Sequence, residues 1–149
     1  MPTIAYCTIG FRKDDLSTAL AAIAEAGFSH IELAADPHAL GPPTGKDAAA
    51  IGQAIERLGL TATTMHAPLG HWALGTPTPQ WRREKTESLS DYLCFAGQLG
   101  ITGVVIHPIL NPGFLPDPNV EAQVDVLMSN ATQALEALTL QRKFCSRRS

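Results

Sequence analysis

The feature that most constrains this chain is a phrase it uses three times: a glycine at a helix end, an apolar residue, then a strand. It reads Ala26-Gly27-Phe28-Ser29-His30-Ile31-Glu32-Leu33, then Leu58-Gly59-Leu60-Thr61-Ala62-Thr63-Thr64-Met65-His66, then Leu99-Gly100-Ile101-Thr102-Gly103-Val104-Val105-Ile106-His107. Glycine closes a helix in the left-handed conformation without the steric cost other residues carry. The β-branched residues that follow suit strands. Helical spacings fill the intervals. Leu16, Leu20 and Ile23 follow the capping candidates Asp14 and Asp15, and Ile51, Ile55 and Leu58 follow Asp47. A third helix begins at Thr78-Pro79 and carries Leu89, Tyr92, Ala96 and Leu99. A fourth begins near Asn119 and carries Val120, Val124, Leu127, Ala131, Leu135 and Leu138. With Thr3–Ile9 as a first strand, the order is βαβαβαβα, which argues for a parallel α/β sheet with outer helices.

Composition narrows the class. The chain has 149 residues, of which 45% are hydrophobic and 17% charged, so a disordered or coiled-coil chain is excluded. No run of 18 apolar residues occurs, and Met1-Pro2-Thr3-Ile4 reads as no secretory signal, so a cytoplasmic location is expected. Cys7, Cys94 and Cys145 are scattered and odd in number, and are expected to be ordinary thiols rather than a disulfide framework or a metal pair. Residues 1–141 hold seven basic and fourteen acidic residues, a net charge of −7, which disfavours nucleic acid. Residues 142–149 hold four basic residues and no acids, and read as a disordered basic tail or a truncation scar.

Two parallel architectures compete, a doubly wound sheet and a (β/α)8 barrel. The turn after the first strand, Thr8-Ile9-Gly10-Phe11-Arg12-Lys13, has one glycine and no phosphate-cradling motif. Polar residues instead stand late in the strands: Glu32, His66 and His107, the last two closely followed by proline. The carboxyl ends of barrel strands form the working face, so the barrel is preferred. Glycine- and proline-rich loops over 36–45, 68–79 and 108–118 follow the strands, as that face requires. On this reading alternate residues of strands such as Val104–Ile106 and Leu60–Met65 make an apolar inward face open to water.

The candidate chemistry lies at those strand ends. An imidazole donates to a sugar hydroxyl, relays a proton near neutral pH or ligates a transition metal. One such histidine reads as a hydrogen-bonded strand closure, but the same placement in two consecutive repeats, His66 and His107, points to function. At equal depth on neighbouring strands, their backbones would lie about 5 Å apart. Glu32 stands between Ile31 and Leu33 and needs a partner, because an unpaired buried carboxylate is costly. His30 begins the same strand, at its far end. His38, His71 and Trp72 fall in loops, and His71-Trp72 is a candidate rim for a sugar.

These segments resemble the first half of the xylose isomerase-like TIM barrels, a superfamily of sugar (phosphate) isomerases and epimerases that includes the endonuclease IV group. The resemblance rests on the three phrases above, on Met65-His66-Ala67-Pro68, and on the stretch from Leu74 through Arg82 and Arg83 to Gly100. It runs from Thr3 to about Leu138. It implies four βα units forming half of a (β/α)8 barrel over 1–141, with 142–149 as the tail. It also implies metal-assisted proton transfer on a sugar or sugar phosphate. The metal, Mn, Mg, Co or Zn, is held in the complete family by Glu, Asp and His of strands five to eight. Those strands have no counterpart in these 149 residues, so a half that is inactive alone and binds no metal tightly is expected.

On this reading His66 and Glu32 are the catalytic candidates, and His107, His71 and Trp72 contact substrate. In the endonuclease-type alternative, a zinc-dependent phosphodiester hydrolase, His66 and His107 are themselves metal ligands. A non-catalytic half-barrel is the third possibility. A homodimer, or association with a second half-barrel, would complete the sheet.

Overall fold

The computed structural model describes residues 3–11, 13–35, 40, 43, 47–68, 79–106, 125–126 and 128–136. The strands are β1 (Tyr6–Cys7), β2 (His30–Ala34), β3 (Thr61–His66) and β4 (Gly103–Val105). The helices are α1 (Leu16–Glu25), α2 (Ala48–Arg57) and α3 (Pro79–Gln98), with a 3₁₀ turn at Thr8–Phe11. The sheet runs β1-β2-β3-β4, every neighbouring pair parallel. The parallel α/β architecture expected of half a (β/α)8 barrel is therefore present. The first strand is shorter than the Thr3–Ile9 expected.

Two compact units divide the chain: Met1–Pro68 with Tyr92–Ile106, and Leu69–Asp91 with His107–Ser149. The first unit holds the whole sheet. In it, α1 is capped by Asp15, whose carboxylate accepts from the Thr18 backbone N–H at 2.8 Å and from the Ser17 hydroxyl at 2.6 Å. These donors, Ser17 foremost, hold the Asp15 carboxyl below the ordinary carboxylate range. Asp47 caps α2 through the Ala50 N–H at 3.0 Å.

The repeated phrase is a repeated helix closure. Gly27, Gly59 and Gly100 have φ of 85°, 69° and 71°. After each, the next residue's N–H reaches back five residues: Phe28 to the Ile23 carbonyl at 3.3 Å, Leu60 to Ile55 at 3.1 Å, and Ile101 to Ala96 at 2.9 Å. This is the Schellman pattern, in which an apolar residue beyond the glycine packs back onto the helix it ends. Leu60 does so visibly. It joins Leu20, Ile23, Ile31 and Ile55 in the buried cluster, flanked by Phe11, Leu16, Ala24, Phe28, Ile51 and Ala62.

The second unit is described in the first turns of α3 and in helical residues 125–126 and 128–136. Leu89 is buried on α3, as its spacing predicts. On the other stretch Ala131 is buried as expected. Leu135 is 37% exposed, and Ala134 takes the buried place three residues after Ala131. Leu135 thus departs from the expected stripe. Cys94, on α3 in the first unit, is disulfide-bonded, against the expectation of ordinary thiols. Pairing depends on Cα separation in the fold, which spacing along the chain does not encode.

The closures give a paired test. An alanine at Gly59 would meet no atom within 4 Å, so its cost is conformational alone. Gly59→Ala is expected to lower stability by about 1–2 kcal/mol, the price of left-handed backbone for an L-residue. Gly52→Ala, inside α2, is expected to raise it by about 0.5–1 kcal/mol, since helical alanine outperforms glycine. There the added methyl makes an ordinary 3.7 Å contact with Leu99. Urea denaturation of both variants checks the opposite signs.

Candidate functional site

Side chains alternate across a strand, so each face of the sheet follows from register. Ile31, Leu33 and Met65 are wholly buried, and Ile31 belongs to the cluster packed with α1 and α2. That face is the helix-covered one. Cys7 pairs with Glu32, Glu32 with Thr64 and Thr64 with Gly103, so these four form one lateral row on the opposite, open face. Ala34, His66 and Val105 form the next row toward the carboxyl ends.

The β2–β3 register shifts at this point. Ile31 pairs with Ala62, yet Glu32 pairs with Thr64, so Thr63 is an extra residue. It is a β-bulge, steadied by the Thr63 hydroxyl donating to the Ile31 carbonyl at 3.2 Å. The bulge changes the parity of β3. Ala62 and Met65, three residues apart, both face the helices, while Thr64 and His66 turn to the open face.

This corrects the apolar inward face expected from the sequence. Leu60 and Met65 are buried on the helix side, and Val104 pairs with Met65 there. The open face carries a thiol, a carboxylate, a hydroxyl and an imidazole, with Val105 as its exposed apolar member at 39%. An unbroken alternation would have placed Met65 outward, and the bulge breaks that alternation.

Glu32 lies mid-strand and half-buried, one row below the strand ends rather than at them. Its Oε2 accepts from the Thr64 hydroxyl at 3.0 Å. Cys7, its register partner on β1, stands on the other side of it. Burial pushes the thiol up from its ordinary value, and the hydrogen bond and charge of Glu32 push it further, against a lowering contribution from the Ile9 backbone. Glu32 thus has the partners that its place in an apolar strand demands. Thr8, fully buried after β1, accepts from the Ala34 N–H at 2.8 Å and ties the ends of β1 and β2 together.

His66 ends β3, half-buried, with Nδ1 2.9 Å from the Ala67 carbonyl. A carbonyl oxygen only accepts, so Nδ1 carries the proton in this contact. The neighbour of His66 on β4 is Val105, two positions before His107, so the equal-depth pairing of the two imidazoles is not the observed register. His107, His71, Trp72 and His38 lie outside the described residues. His30 stands at the far end of β2, its Nδ1 2.9 Å from the Ser29 hydroxyl.

No three His, Cys, Asp or Glu side chains converge as metal ligands among the described residues. Glu32 is engaged by the Thr64 hydroxyl and His66 by a carbonyl, so the described residues do not by themselves fit a divalent-metal site. In the second unit a cleft of about 280 Å³ is lined by Arg82, Arg83, Thr86, Glu87, Asn130 and Gln133. It contains none of the site residues expected from the sequence. Sequence reasoning missed Cys7, Thr64 and Gly103. The signal was available for β3, because the apolar interval changes from two at Leu60–Ala62 to three at Ala62–Met65.

The parity change gives a direct prediction. Deleting Thr63 regularises the register and leaves Thr64 opposite Glu32, so that variant is expected to melt cooperatively. Inserting one alanine after Thr63 turns Thr64 and His66 into the helix-packed face and Met65 out of it. That variant is expected to lose about 2–5 kcal/mol, the scale of losing a large core side chain, or to fail to fold. Thermal melts followed by circular dichroism separate the two.

Known proteins share this fold. A family model described as xylose isomerase-like TIM barrel matches residues 20–141. A D-tagatose 3-epimerase-like protein superposes with a TM-score of 0.75 at 17% identity, over 97% of this chain and 50% of its own. A 3-keto-D-glucoside 4-epimerase from E. coli gives 0.70 at 17% identity, over 98% and 54%. A xylose isomerase-like TIM barrel protein from Mycobacterium smegmatis, in complex with magnesium, gives 0.60 at 14% identity, over 97% and 54%. The chain therefore spans about half the length of these structures. No curated protein is a significant sequence match.

Proposed function

The chain belongs to the xylose isomerase-like TIM barrel family, and from that premise we propose that its four βα units form one wall of a sugar epimerase or isomerase mouth. The observation that carries this reading is the gathering of Glu32, Thr64 and His66 on the open face of a parallel sheet, toward the carboxyl ends of its strands. Chemistry in such barrels gathers at that end. Glu32 accepts hydrogen bonds from sugar hydroxyls. His66, its Nδ1 given to the Ala67 carbonyl, takes or gives a proton at Nε2. His107, His71 and Trp72 remain substrate-binding candidates. The ligand class is a small sugar or sugar phosphate. The acidic body disfavours the zinc phosphodiester hydrolase.

In the complete family a divalent cation, Mn, Mg, Co or Zn, polarises sugar oxygens beside the carbonyl. The groups that hold it belong to the other half of the barrel, so in this proposal the 149 residues bind it weakly and are inactive alone. Residues 1–141 are the half-barrel, and 142–149 a tail outside it. A cytoplasmic location belongs to this reading, and a persistent Cys94 disulfide would count against it, because the cytoplasm keeps thiols reduced. Among the described residues no helix is long and apolar enough to cross a membrane.

Activity tests the proposal. The purified chain, assayed with ketohexoses and Mn²⁺ or Mg²⁺, is expected to show no turnover. Supplied in trans with the C-terminal half of the D-tagatose 3-epimerase-like relative, it is expected to gain turnover. Glu32→Gln and His66→Ala should each reduce that turnover by at least about tenfold, the low end for a proton-moving or charge-positioning group. Turnover by the chain alone would overturn the half-barrel reading. Calorimetry with Zn²⁺ and Mn²⁺ should show weak binding, and a submicromolar zinc site abolished by His66→Ala would favour the hydrolase.

Association is the second test. Among the described residues β1 pairs only with β2 and β4 only with β3, so each is an edge strand among them, and an edge strand is a template for further pairing. Beside them Ile4 is 74% exposed and Tyr6 36%. A second copy would join these edges into eight strands. Sedimentation equilibrium at micromolar concentration is expected to report a dimer or larger species, and a monodisperse 15.9 kDa particle would overturn it.

A further inference from the structure

Glu32 is the centre of a row that crosses all four strands, and its neighbours on that row have a shared property. Cys7 on β1 and Thr64 on β3 are its register partners, one on each side. Thr64 donates to its carboxylate at 3.0 Å, and burial with the neighbouring Glu32 pushes the Cys7 thiol up. Gly103 on β4 is the register partner of Thr64. A β-carbon at Gly103 would stand 3.3 Å from the Thr64 methyl, closer than such contacts normally come. The row is thus keyed from β4 inward: the missing side chain at Gly103 makes room for Thr64, Thr64 holds the carboxylate, and Cys7 flanks it.

We propose that Cys7, Thr64 and Gly103 are positioning residues that clamp the Glu32 carboxylate in one orientation, as a fixed acceptor for sugar hydroxyls. This rests on the sugar-binding reading for its purpose, but the clamp itself requires no sugar. A carboxylate accepts about four hydrogen bonds. The Thr64 hydroxyl leaves capacity for a vicinal diol, whose two hydroxyls match the bidentate geometry of the group. Ala34, the small residue above Glu32 on β2, keeps a larger side chain from standing there. The clamp also fixes the chemistry of Cys7. A thiol held beside a carboxylate stays protonated, so Cys7 does not serve as a nucleophile. The ionisable groups sharing this open face among the described residues are Glu32 from β2 and His66 from β3, one row nearer the strand ends. Gly103 and Val105 bring none from β4.

The thiol is the reporter, and it can be read on the 149-residue chain without substrate. Iodoacetamide alkylation of Cys7, followed by mass spectrometry of its peptide, gives a rate proportional to the thiolate fraction at each pH. In the wild-type chain the midpoint is expected above that of an ordinary thiol. Glu32→Gln removes the charge and is expected to speed alkylation at pH 8 by about threefold or more, equivalent to half a pKa unit. Thr64→Val frees the carboxylate to swing off Cys7 and should also raise the rate. Thr64→Ser, which keeps the hydroxyl, should restore the wild-type rate, and Gly103→Ala should behave as Thr64→Val.

Circular dichroism melts confirm that each variant is folded. If Glu32→Gln does not fold, the comparison of Thr64→Val with Thr64→Ser decides alone. Equal Cys7 rates in the wild type and the folded variants would overturn the clamp. A clamp that passes this test while the reconstituted barrel turns over no sugar would sink the sugar reading and leave the positioning intact.

Discussion

Each βα unit of this protein depends on one closure, a left-handed glycine followed by an apolar residue that folds back on the helix just ended. The closure satisfies carbonyls that would otherwise be orphaned at the helix end. It also reverses the chain within two residues, so the next strand begins beside the last. Because Phe28, Leu60 and Ile101 each make the same bond five residues back, the strands that follow enter the sheet from the same side. Parallel order and the helix-covered face both follow from that repetition. The buried cluster of Leu20, Ile23, Ile31, Ile55 and Leu60 is assembled where two of these closures meet.

The open face answers to a different constraint. A carboxylate between two large apolar residues of a strand is tolerated only with donors beside it. Thr64 can serve as one because the bulge at Thr63 shifts the register by a residue. Without that shift, the residues aligned with Ala62 would carry Thr64 and His66 under the helices, where a hydroxyl and an imidazole would replace the packing of Met65. One extra residue therefore decides two things together: Met65 stays in the core, and Glu32 gains its hydrogen bond. Structural stability and the chemical character of the open face are not independent here.

The polar open face also changes why such a half should seek a partner. An apolar inward face would drive association by burial alone. A face bearing Cys7, Glu32, Thr64 and His66 offers little of that, and in the proposed dimer the stronger drive is pairing at β1 and β4, the edge strands among the described residues. In the proposed assembly, a partner that continues the sheet would satisfy them and enclose the polar row at the same time.

Much of this was legible in the sequence. The glycine phrase, the caps Asp15 and Asp47, the stripes through Leu20, Ile55 and Leu89, and the parallel α/β order follow from local rules: left-handed backbone favours glycine, short carboxylates cap helices, and apolar spacing tracks helical period. The resemblance carried by the strand-end motifs named the family. Partners across strands were decided only by tertiary structure. Which residue stands beside Glu32, whether Leu60 and Met65 face helices or the open side, that His66 neighbours Val105, and that Cys94 is disulfide-bonded all depend on register and on distances between segments far apart in sequence. A single bulged residue alters them without changing the composition, because side-chain direction in a strand alternates with every residue.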